Sequence, residues 1–134
     1  MAFVHGRNTY ISLAGYNLST YTDASELDKE AEAHKVTTYG KTANVYAGGL
    51  LDGAAKMSGT YDNTASTGPR AVINPLVGTV VQLIRRPEGT GSGLPQDKVN
   101  VLVKKYSESN PVADMIKWSV DLQCSDTIDS TAQP

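Results

Sequence analysis

The sequence predicts an all-β domain with at most one short helix, an antiparallel β-sandwich or barrel. Three observations predict it. Segments 55–61, 99–106 and 115–124 alternate apolar and polar residues with a period of two, the mark of a strand with one face on a core and one in water. Turn residues break the chain at short intervals, so the apolar runs between them are strand-sized. The two segments with some helical character, 25–35 and 69–78, each carry a defect that limits a helix.

Thr9–Ala14 reads as a first strand ended by Gly15, and Tyr16–Ser19 as a short second piece. Ser25–Lys35 is rich in Glu, Lys and Ala, which favour helix. Leu27 is its only large apolar residue, so a helix there has no face to bury. The segment is therefore expected as an extended, polar edge. Val36-Thr37-Thr38-Tyr39 is β-branched and aromatic, a strand stopped by Gly40. Gly40–Gly53 reads as a loop with one apolar turn.

Ala55, Met57, Gly59 and Tyr61 share one face of the next strand, and Gly59 suggests a bulge or a close backbone approach. Pro69–Gly78 suits a short helix: Pro69 fits a first turn, Ala71, Val72 and Leu76 would face the core, and Pro75 limits its length. Thr79–Arg86 is a strand that pairs naturally with Val99–Tyr106 across a Gly-rich hairpin tip. Asn110-Pro111 marks a turn. Met115–Cys124 is the strongest amphipathic strand, with Ile116, Trp118, Val120, Leu122 and Cys124 on one face. The 134 residues fit one domain, 1–134, with a small polar tail over 125–134 expected to be flexible.

Lys and Arg total 12 against 14 Asp and Glu, a formal net charge of -2. That balance argues against gripping nucleic acid through its phosphates. Arg85-Arg86 and Lys104-Lys105 read as solvated strand ends. The single cysteine, Cys124, excludes an internal disulfide and fits folding in a reducing cytosol. The N-terminus lacks the apolar core of a signal peptide, and the longest apolar stretch is too short to span a bilayer.

Catalytic and metal chemistry find no support in the pattern, and no cofactor, catalytic or metal residue is expected. His5 and His34 stand apart without ligand spacing. Cys124 falls on the apolar strand face, where a thiol is inert. Gly40-Lys41-Thr42 lacks the earlier glycine of a phosphate-binding loop, and Gly89–Gly93 precedes no helix. Asp28, Glu30 and Glu32 alternate along one strand face, which suits a solvated edge, a bound cation, or a channel wall that repels DNA.

Several stretches nevertheless carry a recognisable signature. Val36–Ala43 with Val36-Thr37-Thr38-Tyr39-Gly40, Tyr46–Gly53 with Gly49-Leu50-Leu51-Asp52-Gly53, and Met57–Asp62 with Ser58-Gly59-Thr60-Tyr61-Asp62 resemble the centre of small tailed-phage tail-tube-like proteins. Phe3–Asn8 is similar to their opening, and Asn110–Gln123, ending Ser119-Val120-Asp121-Leu122-Gln123, to their closing strand. The resemblance implies two packed antiparallel sheets forming a barrel-like sandwich, with one helix near Pro69–Gly78.

It also implies a non-enzymatic virion protein, made in the cytoplasm of a bacterial host. Its partners would be copies of itself and other virion proteins, with no membrane and at most non-specific passage of DNA. Such a fold serves as a tail-tube subunit in stacked rings or, alternatively, as a capsid decoration protein. A small ligand-binding β domain is the remote alternative. Tube subunits of this kind reach the next ring with a long loop, and Gly40–Gly53 is short for that task. Tyr46, Leu50 and Leu51 are the expected assembly contacts, because apolar residues in a Gly-rich loop are otherwise unexplained. Folding back into the core is the alternative for them.

Overall fold

The computed structural model describes residues 3–64 and 66–134, and among these the chain forms seven strands and one short α-helix. The strands are β1 (Tyr10–Leu13), β2 (Tyr16–Asn17), β3 (Ala24–Lys35), β4 (Tyr46–Thr60), β5 (Val80–Arg86), β6 (Asp97–Ser109) and β7 (Lys117–Cys124). The helix α1 (Pro69–Ile73) runs into a 3-10 turn, Asn74–Leu76. All ladders are antiparallel, in the single order β2-β1-β5-β6-β7-β4-β3.

The sheet is continuous, yet its two halves face each other. Ile11 and Leu13 of β1 bury into the same cluster as Ala55 and Met57 of β4, although three strands lie between them in the order. Trp118, Val120 and Leu122 of β7 and Val99, Val101 and Val103 of β6 complete the inner face. Only a rolled sheet brings both ends onto one core. A register shift between Val103 and Lys105 inserts an extra residue into β6 against β7, and such a bulge bends a strand and raises its twist. The two sheets implied by the resemblance are thus two halves of one rolled sheet. Val72 and Ile73 of α1 close the core from one end.

The alternating segments appear where periodicity places them, and β5 pairs β6 as expected, with Val81 opposite Val101 and Leu83 opposite Val99. The polar segment Ala24–Lys35 is extended and forms the sheet edge. Three expectations are corrected. Val36–Tyr39 is a turn, not a strand: Val36 N–H donates to Val45 O, and Val45 N–H donates to the Thr37 hydroxyl, which reverses the chain despite its β-branched residues. The expected loop Gly40–Gly53 is strand from Tyr46 onward, because pairing with β3 satisfies its backbone.

The tail over 125–134, expected to be flexible, is docked. Lys98 and Asp129 exchange backbone hydrogen bonds, Ile128 packs against the core, and Gln133 is buried at 7% exposure. The Gln133 amide donates to Gly89 O at 2.8 Å and accepts from Gly91 N–H at 3.1 Å. Polar atoms of the β5–β6 hairpin tip thereby find partners that the tip itself does not supply.

Candidate assembly interface

β3 and β4 pair over most of their length, but only their inner parts belong to the barrel. Leu27 and Ala55 face each other as the last pair on the core, and from Asp28 to Asp52 every residue is exposed except Thr37, which is half-buried. The hairpin therefore leaves the body as an arm with the turn 36–45 at its tip. Its root is fastened on both sides. Lys29 Nζ pairs with Asp97 at 3.3 Å, and Arg85 holds the same carboxylate at 3.6 Å. On the other side the Gln123 amide donates to Asp52 Oδ1 and to Gly53 O, each at 2.9 Å.

The arm has two unlike faces, because side chains alternate along each strand and paired residues share a side. Glu26, Asp28, Glu30 and Glu32 lie on one face of β3, with Asp52 opposite Glu30 and Lys56 opposite Glu26. The other face extends the core stripe into solvent: Leu27 is followed by Lys29, Ala31, Ala33 and Lys35, with Leu51 opposite Ala31 and Tyr46 opposite Lys35.

Between Ala31 and Ala33 the register shifts, and three steps of β4, Leu51 to Gly48, match two of β3. A Cβ at Gly49 would lie 2.5 Å from His34 Nε2, so a larger residue there would displace that exposed imidazole. Glu32 and His34 approach to 3.5 Å on this side.

The three residues singled out by sequence are all on the arm and all exposed: Tyr46 at 58%, Leu50 at 78% and Leu51 at 71%. Folding back into the core, the alternative reading, does not occur. Leu51 lines a cleft of about 370 Å³ with Ala31 and Lys29, closed on its far side by Asp126, Thr127 and Ile128 of the tail. Sequence reading missed the length of the arm. Four glycines between Tyr46 and Thr60, among them Gly48-Gly49 and Asp52-Gly53, carry turn signals that hid it.

At the opposite end of β4, Tyr61 N–H donates to Ile116 O and begins the loop to α1. The turn between β6 and β7 lies beside it and exposes Val112, Met115 and Ile116, a second apolar patch.

Titratable groups show little that suits catalysis. Burial, then the neighbouring Asp52 charge, pushes the Cys124 thiol up, which keeps it protonated and unreactive. Burial and Glu108 raise the Tyr106 hydroxyl above its usual range, against a smaller opposing effect of Arg70. Among the described residues no group of three His, Cys, Asp or Glu side chains is placed to hold a metal. No helix among them is long and apolar enough to cross a membrane.

No family model matches the sequence, and no curated protein matches it. Solved structures do match. The tail of an empty gene transfer agent particle, refined with C6 helical symmetry, aligns with a TM-score of 0.78 at 15% identity over 97% of this chain and 100% of that one. The SPP1 tail tube aligns with a TM-score of 0.78 at 9% identity, over 98% and 80% of the two chains. The sheath–tube complex of an extracellular contractile injection system aligns at 0.67 and 9%, over 98% and 93%. The chain has the tail-tube fold. At these identities the likeness lies in the path of the backbone, and the coverage shows that the path is followed from end to end.

Proposed function

We propose that this chain is a non-enzymatic virion subunit that self-assembles into stacked rings, the tail tube of a phage or phage-like particle. The observation that carries the reading is the arm. An amphipathic hairpin with Tyr46, Leu50 and Leu51 in solvent has no function in an isolated barrel, and exposed apolar surface of this kind marks a contact site. The neighbours in tails and tubes supply the architecture in which such a contact is used. The arm also supports the tube over the alternative, a decoration protein, since the reach that a loop of Gly40–Gly53 lacks is provided by β3 and β4 together.

The long free edge of β3 offers unpaired backbone groups to a second copy, and its charged side chains hold off indiscriminate strand addition. The row Glu26, Asp28, Glu30 and Glu32 would repel a phosphate backbone, which suits non-specific passage of DNA rather than its capture.

Negative-stain microscopy of the purified protein tests the reading. Hollow tubes or six-fold rings are expected. A monomer or trimer that coats empty capsid shells and never forms tubes would instead identify a decoration protein.

A further inference from the structure

The arm joins the barrel through one strand. β3 pairs with β4 alone, and β4 keeps its second neighbour, β7, only from Ala54 onward. Lys29 opposite Gly53 is therefore the first pair with no third strand beside it. Two strands without a third are marginal in water, so the ladder by itself does not fix the direction in which the arm leaves the body.

At this level the C-terminal tail meets the arm. The Lys29 ammonium donates to the Ser130 hydroxyl and, at 3.3 Å, to Asp97. The Ser130 hydroxyl donates in turn to Asp97 at 2.6 Å. Arg85 approaches the other oxygen of that carboxylate at 3.6 Å. The Asp97 side chain is only 14% exposed, so solvent screens this cluster less than a surface pair.

Ser130 is held in place on both sides. Backbone bridges join Lys98 to Asp129 before it and Pro95 to Ala132 after it. Ile128 packs on the core and lies against Gly53, 3.0 Å from where a Cβ would stand. Further out the arm and the tail part, and the cleft opens between Ala31 and Leu51 on one side and 126–128 on the other. Among the described residues, Lys29 makes the one polar contact between the arm and the tail.

We infer that Asp97 and the C-terminal tail form a strap that aims the arm. Asp97 is a positioning residue: it acts through Lys29 and Ser130 to set the angle at which Tyr46, Leu50 and Leu51 are presented. An arm settled before it meets a neighbour lowers the ordering cost of association. That benefit to assembly rests on the tube reading above, whereas the aim of the arm is a property of the single subunit.

Distances between two spin labels on the monomer fraction from gel filtration test the strap. The labels sit on Thr38→Cys at the arm tip and Asn100→Cys on the barrel, both exposed, in a Cys124→Ser background. One narrow distance distribution is expected. Ser130→Ala, Lys29→Met and Asp97→Asn each remove a link and should broaden it by about twofold or more. Lys29→Arg keeps the charge and the reach, and should keep the distribution narrow.

Trp118 fluorescence in urea reports on the barrel. If Asp97→Asn fails to fold, Ser130→Ala carries the test, since Ser130 is exposed. Narrow distributions in folded Ser130→Ala and Lys29→Met proteins would overturn the strap, with the Gln123 contacts to Asp52 and Gly53 then sufficient to hold the arm. Because the distances are read on monomers, that result leaves the tube reading intact. Wild-type protein that forms neither tubes nor rings would overturn the tube reading and leave the strap standing.

Discussion

Replacing Gly59 with alanine is the most demanding test of how the sheet is rolled. Gly59 lies in β4 opposite Trp118, where the segment between β2 and β3 crosses the sheet. A Cβ on Gly59 would sit 1.9 Å from Tyr21 O and 3.1 Å from Thr22 Cα. Real Cβ atoms stay beyond 3.0 Å, so the crossing backbone must retreat by about an ångström. Tyr21 O is also the acceptor for the indole N–H of the buried Trp118, at 3.2 Å. Retreat therefore strains the packing and weakens that bond together. Overpacking costs about 1–3 kcal/mol. Leaving a buried donor unpaired costs about 1–3 kcal/mol more.

Gly59→Ala should therefore lose roughly 2–6 kcal/mol, a large part of the ~5–15 kcal/mol that holds a domain of ordinary stability together. Trp118 is the only tryptophan, so its fluorescence reports unfolding in urea directly. Gly48→Ala is the control, because a Cβ there meets nothing within 4 Å, and it should stay within about 0.5 kcal/mol of wild type. A Gly59→Ala protein as stable as the Gly48→Ala protein would refute the account of the crossing.

Other perturbations address the arm, the tail and the alkaline limb. Leu50→Asp/Leu51→Asp should leave stability within about 0.5 kcal/mol per site, since both side chains are exposed, yet abolish polymerisation in sedimentation; unchanged assembly would remove them from the interface. Gln133→Ala should cost about 1–3 kcal/mol and speed hydrogen exchange at Gly91 N–H, and unchanged exchange would show that the tail does not clasp the hairpin tip. Cys124 should react slowly with disulfide reagents at pH 8, and Asp52→Asn should speed it by removing a charge that raises the thiol; equal rates would sink that electrostatic account.

Tyr106 is raised on folding, so its contribution is complete below its unfolded value near 10 and declines as pH rises beyond it. Urea midpoints should therefore fall above about pH 10 and fall less in Tyr106→Phe; parallel curves would contradict the shift.

Much of the body was legible because burial on one side leaves a period of two. Trp118, Val120 and Leu122 announce an inward face, and Val99, Val101 and Val103 announce its partner. The arm leaves no such trace. Both of its faces meet solvent, so no alternation is imposed on Tyr46–Leu51, and its glycines read as loop when one of them merely makes room for His34. Val36–Tyr39 misled in the opposite way, because β-branched residues there serve a turn closed by the Thr37 hydroxyl and Val45. Gln133 was invisible for a third reason: a buried amide bonded to loop carbonyls has the composition of a free tail. Tyr46, Leu50 and Leu51 stood out as apolar residues in a Gly-rich stretch, but the pattern left core and surface open for them, and the strand that holds them in solvent was not legible.

The placement of the arm at one end of β4, away from the 110–116 turn at the other, makes the subunit a directed object. Any stack that holds all such copies in one direction would present a different surface at each end. One terminus would display arms and the other would display turns, so each would need a different capping protein. A head-to-tail contact between layers also has no point of closure, and nothing within it counts how many layers have been added. The length of such a filament would have to be dictated by something other than the subunit.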